Sequence, residues 1–328
     1  MKPFRYQRVA DVATAVDTLA ATPTAAFLAG GTNLVDLMKL EVEQPDVLVD
    51  VRRLTSGRIE QHPEFVRIGA AVTNTALAAD PVIRERFPML SQAVLSGASG
   101  QLRNLATTGG NLLQRTRCVY FQDVTTPCNK REPGTGCPAR EGFHRDHAIL
   151  GTSEACVATH PSDMAVAMVA LDAVVNTQGP HGQRAIPLVG LHRLPDDEPE
   201  RDTVLEHGEL ITSIDIPSLD FAVNSRYRKA RDRASYAFAL VSVAAAADVA
   251  GGELRDVRLA LGGVAHKPWR ATRAEMVLRG AAATEEKFRE AADAELADAR
   301  PLPGNEFKIP LTRNMIVDVL AELSEVRR

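Results

Sequence analysis

An α+β fold in two domains is what this sequence predicts, and three observations predict it. A short apolar strand, Ala25 to Ala29, runs into Gly30-Gly31-Thr32-Asn33 and then a helical stretch, Leu34 to Leu40. Alternation at Phe65 to Ala70 reads as a further strand, and Thr73-Asn74 then caps a helix. Beyond a composition shift near 218 to 225, the strand-like runs Ala237 to Val249 and Leu254 to Leu261 are separated by Gly251-Gly252, a hairpin signal. Helical patterns over 271–299 and 311–327 follow, so this last third reads as an antiparallel sheet packed with helices.

The chain in order supports the same class. Asp11 caps a helical spacing that runs through Val12, Val16 and Leu19 and stops at Pro23. With the strand at Val47 to Val51, residues 1 to about 55 make a small ββ- or βαβ-type unit. Strand, glycine turn and helix together aim backbone N–H groups at an anion, which makes Gly30-Gly31 a candidate diphosphate cradle; a tight turn with no ligand has the same look. Residues 82–96 resume a helical pattern whose buried stripe is Val82, Ile83, Phe87, Leu90, Val94 and Leu95. Gly97-Ala98-Ser99-Gly100 is a break leading to a second glycine turn, Thr107-Thr108-Gly109-Gly110-Asn111. Two such turns, each followed by Asn, read as two walls of one site. Asp163, ahead of the apolar run Ala165 to Val175, is an N-cap or a carboxylate that accepts hydrogen bonds from a cofactor's hydroxyls. Residues 176–203 read as loops, and a strand resumes near Glu209.

Composition limits the function. The chain has 328 residues, 45% of them hydrophobic, enough for two or three domains. A net charge of −4 with 5% aromatic residues argues against a nucleic-acid binder. No apolar run is long enough to cross a bilayer, and the basic N-terminus lacks the apolar stretch of a signal peptide. A cytoplasmic protein is expected, or a periplasmic one if it is exported on a partner that carries the signal. The Gly-x-Gly-x-x-Gly fingerprint of a nicotinamide-binding domain is absent, and no Ser-His-Asp, paired-carboxylate or His-metal set suggests a catalytic residue.

All four cysteines lie within one segment, Cys118, Cys128, Cys137 and Cys156, at spacings x9, x8 and x18. That crowding suggests metal binding rather than disulfides. Four thiolates suit a [4Fe–4S] cluster; zinc and unpaired thiols are the competing readings. Arg115, Arg117, Lys130, Arg131, Arg140 and Arg145 would offset thiolate charge or keep the loop soluble. His144 and His147 read as solvent-exposed loop histidines, with acid–base or metal-binding groups as the alternative. The basic stretch Arg226 to Arg233 reads as a solvated edge from which Lys229 or an Arg could reach back to a cofactor.

Ala29-Gly30-Gly31-Thr32-Asn33-Leu34, Thr107-Thr108-Gly109-Gly110-Asn111-Leu112, Ser162-Asp163, Tyr227-Arg228-Lys229 and Gly262-Gly263-Val264-Ala265 together resemble the FAD-binding subunits of the xanthine dehydrogenase, or molybdenum hydroxylase, family. The resemblance spans the chain, with the motifs in the family's order. It implies a two-part FAD-binding domain of the vanillyl-alcohol-oxidase (PCMH) type over 1–218, split near 55. It further implies a C-terminal domain of the CO-dehydrogenase flavoprotein type over 224–328. The roughly 50 residues between Asn111 and Asp163 exceed the usual spacing. This insertion, at about 115–158, looks like that of periplasmic aldehyde oxidoreductase flavin subunits, in which a [4Fe–4S] cluster sits near FAD; similar insertions occur in 4-hydroxybenzoyl-CoA reductase.

By the same resemblance Leu28, Ala29, Gly30, Gly31, Thr32, Asn33 and Leu34 would hold the FAD diphosphate, and Thr107, Thr108, Gly109 and Asn111 would form the second wall. Asp163 would meet the ribityl chain, with Leu210 and Lys229 near the isoalloxazine ring. The implied assembly is a heterotrimer with a molybdenum-cofactor subunit and a [2Fe–2S] subunit, delivering electrons to an external acceptor.

Overall fold

A computed structural model describes residues 1–325, organised around three sheets. In the first, β1 (Arg5–Arg8), β2 (Ala25–Leu28) and β3 (Val47–Asp50) are all parallel, in the order β1-β3-β2. Asp11 accepts the Thr14 N–H at 2.8 Å and so caps helix Val12–Ala20, whose Ala15, Val16 and Leu19 are buried in this unit's core. A helix intervenes between each strand and the next, so the unit is βαβαβ rather than a ββ pair.

The second sheet is antiparallel: β4 (Ile59–Gln61), β5 (Phe65–Gly69), β6 (Val174–Gly179), β7 (Gly182–Pro187) and β8 (Leu210–Pro217), in the order β4-β5-β8-β6-β7. Residues 176–203 are therefore not all loop. Gly179 pairs with Gly182, so Pro180 and His181 make a two-residue hairpin turn. β7 is an edge strand with Gln183, Arg184 and Ala185 exposed, and its polar outward positions hid its alternation.

The stripe expected over 82–96 is split into helices Pro81–Arg86 and Pro88–Ser96. Phe87, held out of the helical region by the proline after it, re-phases the second helix: Ile83, Phe87, Leu90 and Val94 are buried, but Leu95 is 55% exposed. Helix Asp163–Ala170 is buried along its whole length. It packs between the helix Pro88–Ser96 and the third sheet, as expected of a helix that is apolar all round.

The third sheet comprises β9 (Ser225–Ala230), β10 (Val241–Ala250), β11 (Glu253–Gly262), β12 (Trp269–Arg270) and β13 (Ala281–Ala282). Ala250 pairs with Glu253, and Gly251 (φ 62°) with Gly252 (φ 80°) supplies the left-handed two-residue turn the sequence predicts. The period-2 pleat of β10 serves two cores: Ala244 and Ala246 face the central one, while Val241, Val243, Ala245 and Ala247 face Phe288, Ile316 and Leu320. The helical pattern of 271–299 is two helices, Thr272–Leu278 and Glu285–Leu296. That of 311–327 is helix Lys308–Leu323; positions 326 and 327 lie outside the described residues. Among the described residues no helix is long and apolar enough to cross a membrane.

Candidate functional site

A cavity of about 710 Å³ opens between the glycine turn after β2, the start of helix Asp163–Ala170 and the third sheet, within the range of small-molecule and cofactor sites. Gly31, Thr32 and Asn33 form one wall and Gly110 and Asn111 another. The two expected glycine turns are in contact. A Cβ on Gly30 would stand 2.0 Å from the Leu105 carbonyl oxygen, and Gly31 adopts φ +72°, so backbone meets backbone here as only glycine permits. Asn33 accepts the Arg115 N–H at 2.9 Å, which leaves its buried Nδ2 without a protein partner. Asn111 Oδ1 accepts from Ser162 Oγ at 2.6 Å and Gln114 Nε2 at 3.0 Å.

The far wall is the start of helix Asp163–Ala170 with β9. Ser162 caps the helix by accepting the Ala165 N–H at 3.0 Å, which frees the Asp163 carboxylate for other partners. Tyr227 donates its hydroxyl to Asp163 Oδ1 at 2.5 Å, and Lys229 Nζ donates to Oδ2 at 2.8 Å. Burial and the neighbouring carboxylate together push the Tyr227 phenol well above its usual range, so it stays a donor. Strand alternation explains the basic stretch: Tyr227 and Lys229 point to the cavity side, while Arg226 and Arg228 point outward, each 2.6 Å from Glu322.

Of the residues singled out for a flavin, Gly31, Thr32, Asn33, Asn111, Asp163 and Lys229 line the cavity. Leu28, Ala29, Gly30, Leu34, Thr107, Thr108 and Gly109 stand behind it. Thr107 Oγ1 accepts the Gly110 N–H, Thr108 Oγ1 donates to the Val72 carbonyl at 3.0 Å, and Gly109 packs on Ala70. Leu210 lies elsewhere: at the head of β8 it is buried in the core of the first βαβαβ unit with Val16 and Val49. Sequence reasoning missed the loop 232–240, whose Tyr236, Phe238 and Leu240 line the cavity. Arg117 pairs with Asp36 at 2.9 Å and stacks 5.1 Å from the Phe238 ring, a contact between distant segments.

The four cysteines are free and line one small second pocket, and Cys118 also lines the large cavity. Burial pushes the thiols of Cys118 up to about 11 and Cys156 up to about 12, and raises Cys137 as well. Thiolates form in so dry a pocket only with a cation's help, and four soft donors of one kind fit an iron or zinc centre. Among the described residues no group of three or more His, Cys, Asp or Glu side chains is arranged to grip a metal ion.

Three basic side chains of the insertion, Arg115, Lys130 and Arg131, are internal ties. Lys130 Nζ lies 2.5 Å from Asp202, Arg115 bridges Asp202 at 2.7 Å and Glu43 at 2.5 Å, and Arg131 holds the Phe121 carbonyl at 2.8 Å. His144 and His147 are 9% and 3% exposed, not solvent-facing, because the C-terminal segment covers them: Lys308 Nζ donates to the His147 carbonyl at 2.8 Å.

Residues 2–219 match the family described as FAD binding domain in molybdopterin dehydrogenase, and residues 225–323 match the CO dehydrogenase flavoprotein C-terminal domain. The chain belongs to this family of FAD-binding oxidoreductase subunits. Over 325 residues it is 52% identical to the aldehyde oxidoreductase FAD-binding subunit PaoB of Escherichia coli (strain K12), covering 98% of both chains. It is 27% identical to the carbon monoxide dehydrogenase medium chain of Hydrogenophaga pseudoflava, covering 91% of this chain and 88% of that one. A solved structure of carbon monoxide dehydrogenase from Hydrogenophaga pseudoflava superposes with a TM-score of 0.75 at 27% identity, covering 97% and 96% of the chains. As an FAD-binding subunit of the molybdenum hydroxylase family, the chain has in its glycine-walled cavity, with the orphaned Asn33 amide, a site that fits the flavin nucleotide.

Proposed function

We propose that this chain is the FAD- and [4Fe–4S]-containing electron-transfer subunit of a heterotrimeric, molybdenum-dependent aldehyde oxidoreductase. A separate molybdenum-cofactor subunit oxidises the aldehyde, a separate [2Fe–2S] subunit relays electrons, and this chain passes them to an external acceptor. The likeness to PaoB over nearly the whole of both chains supports the aldehyde and the assembly.

One observation carries the cluster: the four cysteines share a pocket, and one of them, Cys118, is also a wall of the flavin cavity. Four thiolates of one kind suit a four-iron cluster, which takes each of them on a different iron. Cys118, Cys128, Cys137 and Cys156 would hold it. When bound, flavin and cluster supply the redox chemistry; the chain contributes position and charge. Asn33 and Asn111 offer side-chain amides at the cavity wall, Asp163 and Lys229 present a neutralised pair, and the loop bearing Tyr236 and Phe238 adds aromatic rings to the lining.

An anaerobic absorption spectrum of the purified protein, with iron, zinc and flavin analysis, tests this. Flavin bands with about four irons per chain are expected. Flavin without iron removes the cluster from the reading, and zinc on the four cysteines overturns it. Assaying the assembled complex for aldehyde oxidation against acyl-CoA reduction tests the substrate class.

A further inference from the structure

Cys118 stands in the partition between the two pockets. Backbone N–H groups of Tyr120 and Phe121 point to it, as those of Ala139 and Val157 do to Cys137 and that of Ala158 to Cys156. Cys118 alone among the described cysteines also has a side-chain partner at sulfur: His147 Nε2 lies 3.2 Å from its Sγ. The imidazole is not there by chance of rotamer. His147 is 3% exposed and lines the flavin cavity. Its carbonyl is held by Lys308 Nζ at 2.8 Å and Asn305 Nδ2 at 3.2 Å, and its N–H donates to the His144 carbonyl at 2.9 Å. Lys308, fully buried, also donates to the Gly263 carbonyl at 2.8 Å, so the same amine ties His147 and a second cavity-lining residue.

A metal-bound thiolate has no proton to give, so Nε2 bonds it only as the N–H tautomer, which leaves the buried Nδ1 as an acceptor with no protein partner. N–H···S bonds stabilise the more negative, reduced form of an iron–sulfur centre and raise its potential. We propose that His147 is a positioning residue that donates from Nε2 to the Cys118 thiolate, raises the potential of the cysteine-held cluster, and fixes that thiolate in the wall shared with the flavin. The proposal rests on the [4Fe–4S] reading above. It is distinct from it, because a cluster could sit on these cysteines with no help from His147.

The test is an EPR-monitored redox titration of the full chain with its cofactors. His147→Phe keeps a planar ring but removes the donor, and the cluster midpoint is expected to move to more negative potential. His147→Gln, whose amide can put an N–H near the same place, is expected to recover part of the shift. Pulsed EPR on the unsubstituted protein labelled with [15N]histidine needs no variant to fold: a histidine nitrogen coupled to the reduced cluster is expected. An iron-loaded protein with no histidine coupling, or with the same midpoint in the folded Phe variant, overturns this inference and leaves the cluster reading standing. An iron-free protein overturns both.

Discussion

Lys229 Nζ lies 2.8 Å from Asp163 Oδ2, with the two side chains only 3% and 8% exposed. Tyr227 closes on the other carboxylate oxygen, so the charge pair is complete before any ligand arrives. Removing one member leaves the other charge buried and uncompensated, which costs about 3–5 kcal/mol. Lys229→Met is therefore expected to lower unfolding free energy by that order in urea titrations. Adding Asp163→Asn should restore much of it, because a neutral amide tolerates the same burial. Purely additive losses in this double-mutant cycle would show that the pair is not coupled.

Gly30 presses the first glycine turn onto the segment that leads to the second, 2.0 Å from the Leu105 carbonyl oxygen to where a Cβ would be. The obstacle is backbone on both sides, which cannot rotate away. Gly30→Ala is expected to part the two walls, cost roughly 1–3 kcal/mol as overpacking does, and lower the flavin-to-protein absorbance ratio. Gly100→Ala meets nothing within 4 Å and should leave both unchanged.

Local signals in the sequence located much of this site. Both glycine turns, Ser162-Asp163 and the Gly251-Gly252 hairpin are short-range patterns whose backbone demands are written in a few adjacent residues. The cysteines announce their grouping by crowding. What stayed hidden depends on long-range packing. β7 is polar because it is an edge, and His147 looks like a loop histidine until Lys308, far along the chain, covers it. Leu210 was assigned by a short motif match, yet the first residue of β8 is drawn into the βαβαβ core. The ties of Arg115 and Lys130 to Asp202 span 87 and 72 residues and leave no local pattern.

Asp202 holds the cysteine insertion to the rest of the fold. It takes Lys130 on one oxygen and Arg115 on the other, and Arg115 in turn donates its backbone N–H to Asn33 in the flavin cavity. Burial pushes the Asp202 carboxyl up, but the two cations outweigh it and hold it well below the usual carboxylate range. Asp202→Asn would leave Lys130, 1% exposed, without its counter-charge. A loss of about 3 kcal/mol is expected, read by chemical unfolding. Limited proteolysis should nick the variant first between 115 and 158; cleavage elsewhere first would deny Asp202 its role as anchor.

Two buried histidines, His192 and His266, and the half-buried His160 beside this network make acid stability a further test. His160 and His192 pack with ring centroids 4.3 Å apart. Burial pushes His192 and His266 down to about 4 and His160 well below its usual value, with Lys130 and Lys267 opposing protonation and Asp202 favouring it. An unfolded histidine titrates near 6.5, so the folded state binds fewer protons below that pH. The stability from these groups is full above about pH 6.5 and is lost as pH falls toward 4, at about 1.4 kcal/mol per pH unit for each histidine that titrates only on unfolding. The depressed Asp202 contributes in a separate window, below the ordinary carboxylate value of about 3.9. Unfolding free energy measured from pH 7.5 to 4.5 is thus expected to decline with that slope, and His266→Gln should reduce the slope by close to one proton. An unchanged slope in the variant would place the lost protons on other groups.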